Sequence, residues 1–213
     1  MPAGRRRSPL PINGRRPEQR RRAGVASRTP KEASMKKYLT AAVAAGAILC
    51  AAPVMAQSLG EKTGVNAALG VTPSTQDFVT QAAVSDMFEI ESAKLAVERT
   101  SDAPTKAFAQ QMITDHTKTS QELKGLVSSA NLQVNLPTSL DKSHQDKLDR
   151  LRSLNGAEFT DAYHKMQEDA HKDAVSLFKR YASGGESAPL KDWAGKTLPA
   201  LEHHLKVADD LNK

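Results

Sequence analysis

Polar side chains that helical spacing turns toward a core are the residues of this chain most able to do chemistry. Glu168 and His171 form a Glu-x-x-His step, one helical turn apart. Glu89 recurs at spacings of three and four with Phe78, Ala82, Ser85, Ala93 and Ala96, so it shares their inner face. Asp115 and His116 flank the stripe of Phe108, Met112, Thr119, Leu123 and Leu126, and both can reach the core. His204 falls on one face with Leu201, Ala208 and Leu211, while its neighbour His203 falls outside. Inward imidazoles and carboxylates have two uses: they ligate a cation, or they pair with each other as a buried ion pair, as Glu89 could with His116. His144, His164 and His203 are expected to be solvated surface residues.

The elements that must position these groups are helices. Ala, Leu, Lys, Glu, Gln and Asp dominate, β-branched runs are few and no strand alternation occurs. Helices are predicted from about Thr75 to Ser101, capped by Ser74 or Thr75, and from about Pro104 to Ala130. After a loop at Asn135-Leu136-Pro137, a short helix from about Ser139 to Leu154 carries Leu148 and Leu151, stops at Asn155-Gly156 and can act as a crossover. A third long helix, about Ala157 to Ala182, buries Phe159, Tyr163, Met166, Ala170, Ala174, Leu177 and Tyr181, with His171 further round beside Phe178 and Glu168 nearly opposite the main stripe. Gly184-Gly185 and Pro189 separate it from the last helix, which Pro199 should kink or leave with an unpaired carbonyl. Glu89, 13 residues before Asp102, is level with His116, 14 after it. His171 and His204 are offset across the second turn by about five residues, roughly 7 Å of rise, which counts against a tight four-helix site.

The N-terminal third has a different character. Met35 to Ala56, MKKYLTAAVAAGAILCAAPVMA, has the basic start, apolar centre and small-residue end of a secretory signal, cleaved near Ala56-Gln57. Residues 1–34, rich in Arg and Pro, are expected to be a mis-called start or a disordered basic extension. Their Arg15-Arg16 and Arg21-Arg22 pairs lie too far from the apolar stretch for a twin-arginine signal. Residues 57–75, with scattered Gly, Asn and Pro, read as a flexible leader, and 76–213 as one bundle domain. The whole chain carries 30 basic and 24 acidic residues; the first 56 hold 12 and 2, which leaves 18 and 22, a net charge of −4. A domain without a basic stripe does not suit nucleic acid. The single cysteine, Cys50, lies inside the signal, preceded by Leu49 where a lipid-anchor motif needs a small residue, so the mature chain has neither disulfide nor thiolate ligand. No later stretch is apolar enough to span a bilayer. The expected location is the periplasm, or outside the cell.

The strings DFVTQAAVSDMFEIESAKLAVERT, FAQQMITDHTKTSQELK, FTDAYHKMQEDAHKDAVSLF and KTLPALEHHLKVADDL resemble, in order, an exported bacterial family, the domain of unknown function 4142. That family is grouped with ferritin-like four-helix bundles, and the likeness covers nearly all of residues 76–212. It implies an all-α, ferritin-like up-down four-helix bundle with a short extra crossover helix, and an export route; it implies no settled activity. By position it points to Glu89, Asp115, His116, His171 and His204. Thr160 stands where relatives often carry Asp after the residue that Phe159 matches.

Ferritin-like di-iron sites need a Glu on each of two helices and Glu-x-x-His on each of the other two. Here Ile113 and Leu201 stand three residues before His116 and His204, so only Glu168-x-x-His171 fits. The remaining donors suit a single Fe, Cu or Zn ion better, with Glu89, Asp115, His116, His171 and His204 as ligands and Glu168 as a further candidate. Three functions are consistent with this: metal sequestration or stress protection in the envelope; a non-enzymatic envelope or stress protein that binds a protein partner, its histidines purely structural; and, with least support, a degenerate ferritin-like oxidase. No nucleophile motif, phosphate loop or dinucleotide fingerprint supports other enzyme classes, and the balance lies against an enzyme.

Overall fold

The computed structural model describes residues 58–213; the signal-like stretch and the basic extension before it lie outside the described residues. Among those described there are helices and no strands: α1 (Leu59–Lys62), α2 (Val65–Ala68), α3 (Thr75–Arg99), α4 (Ala103–Ser129), α5 (Lys142–Ser153), α6 (Gly156–Gly184) and α7 (Ala188–Leu211). The predicted helices are all present, with ends moved by no more than three residues. Local chemistry sets their starts. Ser74 Oγ accepts the Asp77 N–H at 3.1 Å, Asp102 Oδ2 accepts that of Thr105 at 2.9 Å, and Asp141 Oδ1 accepts that of His144 at 2.9 Å. Each satisfies a donor that the first helical turn leaves free.

The four long helices form the bundle. Thr75 meets Tyr181 at one end of the α3–α6 pair (2.9 Å between oxygens) and Thr100 meets Thr160 at the other (3.5 Å), so these helices are antiparallel. The α4–α7 pair is antiparallel as well, because Trp193 Nε1–H donates to Glu122 and His204 donates to Asp115. Helix α4 therefore runs in the same direction as α6, which is possible because the connection through α5 returns the chain along the bundle, the one long crossover of ferritin-like folds. Leu148 and Leu151 of α5 are buried, and Arg99 Nη1 donates to the Arg152 and Leu154 carbonyls at its end.

The core is divided in two. One apolar cluster gathers Phe78, Leu123, Phe178, Tyr181 and Trp193, with Phe78 stacked on Tyr181 at 3.9 Å. The other gathers Phe108, Met112, Leu151, Phe159 and Tyr163. Every long helix passes from one to the other through buried polar residues: Asp86, Glu89 and Ser92 on α3, His116 on α4, Gln167 and His171 on α6, His204 on α7.

The structure bears on two further expectations. The segment read as a flexible leader is tied to the bundle: Glu61 is buried in a 2.9 Å ion pair with Arg180, whose Nη1 also donates to the Val71 carbonyl, and the Ser58 N–H donates to Asp77 Oδ1. Arg180 stands 119 residues from Glu61, and no local pattern links them. The proline in α7 leaves the helix continuous through Pro199; Gly195, whose carbonyl loses its donor, is exposed, so water can satisfy it.

Candidate metal centre

His116, His171 and His204, from three helices, converge in the polar layer, all buried. Their ring centroids are 5.7, 5.8 and 5.4 Å apart. The expected five-residue offset between His171 and His204 does not keep them apart. His171 lies 13 residues before Gly184 and His204 16 after Ala188, an offset of about 4.5 Å along the axis. Side chains lean toward the N-terminus of their own helix. In antiparallel partners this lean carries His171 away from the turn and His204 toward it, which closes the rest of the gap.

Each ring has one nitrogen held from outside. His116 Nδ1 lies 2.8 Å from Asp86 Oδ1, His204 Nε2 lies 2.9 Å from Asp115 Oδ2, and His171 Nδ1 lies 2.8 Å from the Gln167 carbonyl. Carboxylates and carbonyls only accept, so these nitrogens carry the protons and donate. The other nitrogens, His116 Nε2, His171 Nε2 and His204 Nδ1, are buried and have no partner, and in the neutral imidazole each carries a lone pair. One nitrogen from each of the three rings lies within 4.8 Å of one from each of the others. Three nitrogens at that spacing stand at most about 2.8 Å from a common centre, against zinc–nitrogen bonds of about 2.0–2.1 Å. An inward shift of under about 1 Å per ring would bring all three into bonding range.

The electrostatics separate the three. Burial lowers the His171 pKa to about 3, helped by the nearby His116, so it is a neutral imidazole. Burial likewise lowers His204, with His116 adding to the shift. For His116 burial acts downward too, but the Asp86 hydrogen bond and charge, with Glu89 and Asp115, outweigh it and the net shift is upward. Burial raises Glu89 to about 7, against the lowering influence of His116 and the Gln167 amide. Neither Glu89 oxygen has a hydrogen-bond partner.

The remaining candidates fall in different places. Glu89 is buried beside the cluster, as its periodicity requires, but no carboxylate oxygen belongs to the close set of ligand atoms. Asp115 stands behind His204. Glu168 is turned away, its carboxylate taken by Lys172 Nζ and Asn212 Nδ2, so the Glu-x-x-His step does not converge on one point. His203 is exposed as expected, whereas His164 is buried against Thr105 Oγ1 at 2.7 Å. A dinuclear carboxylate centre does not fit this donor set; a single ion bound by imidazoles does.

A family model described as domain of unknown function (DUF4142) matches residues 60–211. The chain belongs to this family. No curated protein and no solved structure matches it. The matched span of this DUF4142 domain contains all three converging histidines and both carboxylates behind them. Among the described residues no helix is long and apolar enough to cross a membrane.

Two contributors were missed in the sequence. Asp86 is buried and accepts from His116, Thr119 and Ser120; Gln167 orients His171 through its carbonyl and donates to Ser92 Oγ through its amide. The available signal for Asp86 was its place three residues before Glu89, one turn along the same face. Ser85, assigned inward by the spacing, is only half-buried.

Proposed function

We propose that this is an exported helical-bundle protein that holds one transition-metal ion, Fe, Cu or Zn, through His116 Nε2, His171 Nε2 and His204 Nδ1, and that it sequesters the ion or protects the envelope from it. The observation that carries the reading is an imbalance of donors and acceptors. With the imidazoles neutral and Glu89 ionised, the three inward nitrogens, both Glu89 oxygens and Gln167 Oε1 are buried acceptors without partners, beside the Tyr163 hydroxyl as a donor-bearing group. Protons on Glu89, which burial raises to about 7, or on His116 compete with a cation for these lone pairs. Buried polar groups left unpaired are costly, and a cation satisfies lone pairs that no donor reaches. Asp86 and Asp115 behind the imidazoles match the carboxylate–histidine–metal arrangement that orients ligand rings. Export rests on the signal-like stretch at 35–56.

A second reading takes the layer as purely structural, in a protein that acts by binding a protein partner. It is favoured by the His116–Asp86 contact, a buried pair able to hold its own proton without a metal. Elemental analysis separates the two. The untagged protein, purified after growth with added iron and copper, should carry close to one metal ion per chain, and the His116→Ala, His204→Ala double variant none, with helicity kept. Metal-free protein in both cases would leave the histidines structural.

A further inference from the structure

Glu89 is the group in the polar layer that the three-histidine site does not use. It is fully enclosed, both its oxygens are unpartnered, and it lies within electrostatic reach of His116 and of Tyr163. Even so it stands outside the set of ligand atoms that lie within 4.8 Å of one another. Gln167 is beside it: the amide donates to Ser92 Oγ at 3.2 Å, which leaves Gln167 Oε1 as a second buried acceptor without a donor. A carboxylate close to a three-nitrogen centre but not part of it is placed to meet something bound on the ion rather than the ion itself.

Three imidazoles occupy three positions of an ion that takes four or five ligands. We propose that a remaining position opens toward Glu89 and Gln167 and holds a small exchangeable ligand: water at rest, replaceable by an anion of a few atoms. This deepens the metal-binding reading and rests on it. Water bound to an ion through its oxygen has two O–H groups left to donate, and the unpaired acceptors on that side are the Glu89 carboxylate and Gln167 Oε1. The enclosure sets the size limit, because the side chains that flank the layer, Met112 and the Tyr163 ring from one apolar cluster and Leu177 and Leu201 from the other, are all buried. If Glu89 instead closed the coordination shell as a fourth ligand, the ion would be shielded from added anions, as in a structural site.

The test uses the full chain loaded with cobalt(II), whose visible absorption changes with its ligands, titrated with azide. The expected result is a saturable spectral change in the wild type. Glu89→Gln should keep one cobalt per chain and bind azide about tenfold more tightly or better, because a buried negative charge facing the anion has been removed. One bound cobalt with a spectrum that azide does not move overturns this inference and leaves the metal site standing. Equal azide affinity in the variant overturns it too, since Glu89 would then not face the open position. A Glu89→Gln protein that folds but loses its cobalt, while Glu89→Asp retains it, makes Glu89 a ligand and overturns it as well. A wild-type chain that takes up no cobalt ends both this inference and the reading beneath it.

Discussion

His116 owes its orientation to Asp86, which also accepts from Thr119 and Ser120 and is thereby held in one place. Asp86→Asn should weaken metal binding about 10–100-fold, the usual cost of losing an outer carboxylate; calorimetric titration measures it, and unchanged affinity would mean that packing alone sets the ring. Glu89 makes a prediction of opposite sign. Its carboxyl is raised from 4.5 to about 7 in the folded protein, so the unfolded chain ionises first as pH rises, and metal-free stability falls between those values. Glu89→Gln should therefore stabilise the metal-free protein by about 3 kcal/mol at neutral pH. The gain should vanish below pH 4.5, and denaturant unfolding at two pH values reads both. Helical periodicity alone turned Glu89, His116 and His204 inward. It could not place Asp86 or Gln167, because their value lies in partners on other helices.

At the scale of elements, the strap formed by α1, α2 and the residues up to Ser74 is held by charge as well as packing. Burial by itself would raise the Glu61 pKa, but hydrogen bonds from Arg180, Gln81 and Asn66 outweigh it and the net shift is downward. A depressed carboxyl contributes its full stabilisation above its unfolded value of 4.5 and loses it as pH falls through the lower folded value. Hydrogen exchange should show the strap opening in acid before the bundle does. Glu61→Gln should open it at neutral pH, and equal protection in that variant would remove the pair as its tether. In α7, Pro199→Ala restores a backbone donor. Because the exposed Gly195 carbonyl is already reachable by water, the gain should fall short of the about 3 kcal/mol that an interior proline costs.

For the molecule as a whole, the polar layer separates two apolar clusters, so the middle of the bundle contributes little hydrophobic burial and carries the cost of its unpaired acceptors until they are satisfied. An ion bound only by the folded state stabilises it by about 2.7 kcal/mol at one hundred times its dissociation constant. For a domain of this size that is a rise in melting temperature of roughly 5–10 °C. The rise should be absent in the His116→Ala, His204→Ala protein, and calorimetry with and without metal would show it. A wild-type melting temperature indifferent to every ion tried would favour the structural reading of the histidines.

Much of this protein was determined by local rules. Apolar residues at spacings of three and four, with Ser74, Asp102 and Asp141 at helix starts, set the helices, because capping and amphipathic burial act within a few turns of the chain. The same periodicity carried Glu89 and two of the histidines to the inside. The tertiary structure decided which of them meet. It brought His171 to His204 through the opposite lean of side chains on antiparallel helices, drew Asp86 and Asp115 in behind the rings, and turned Glu168 away to Lys172 and Asn212. It also pinned the strap through Glu61 and Arg180. Each of these is a contact between residues far apart in the chain, where the spacing along one helix says nothing about the partner on another.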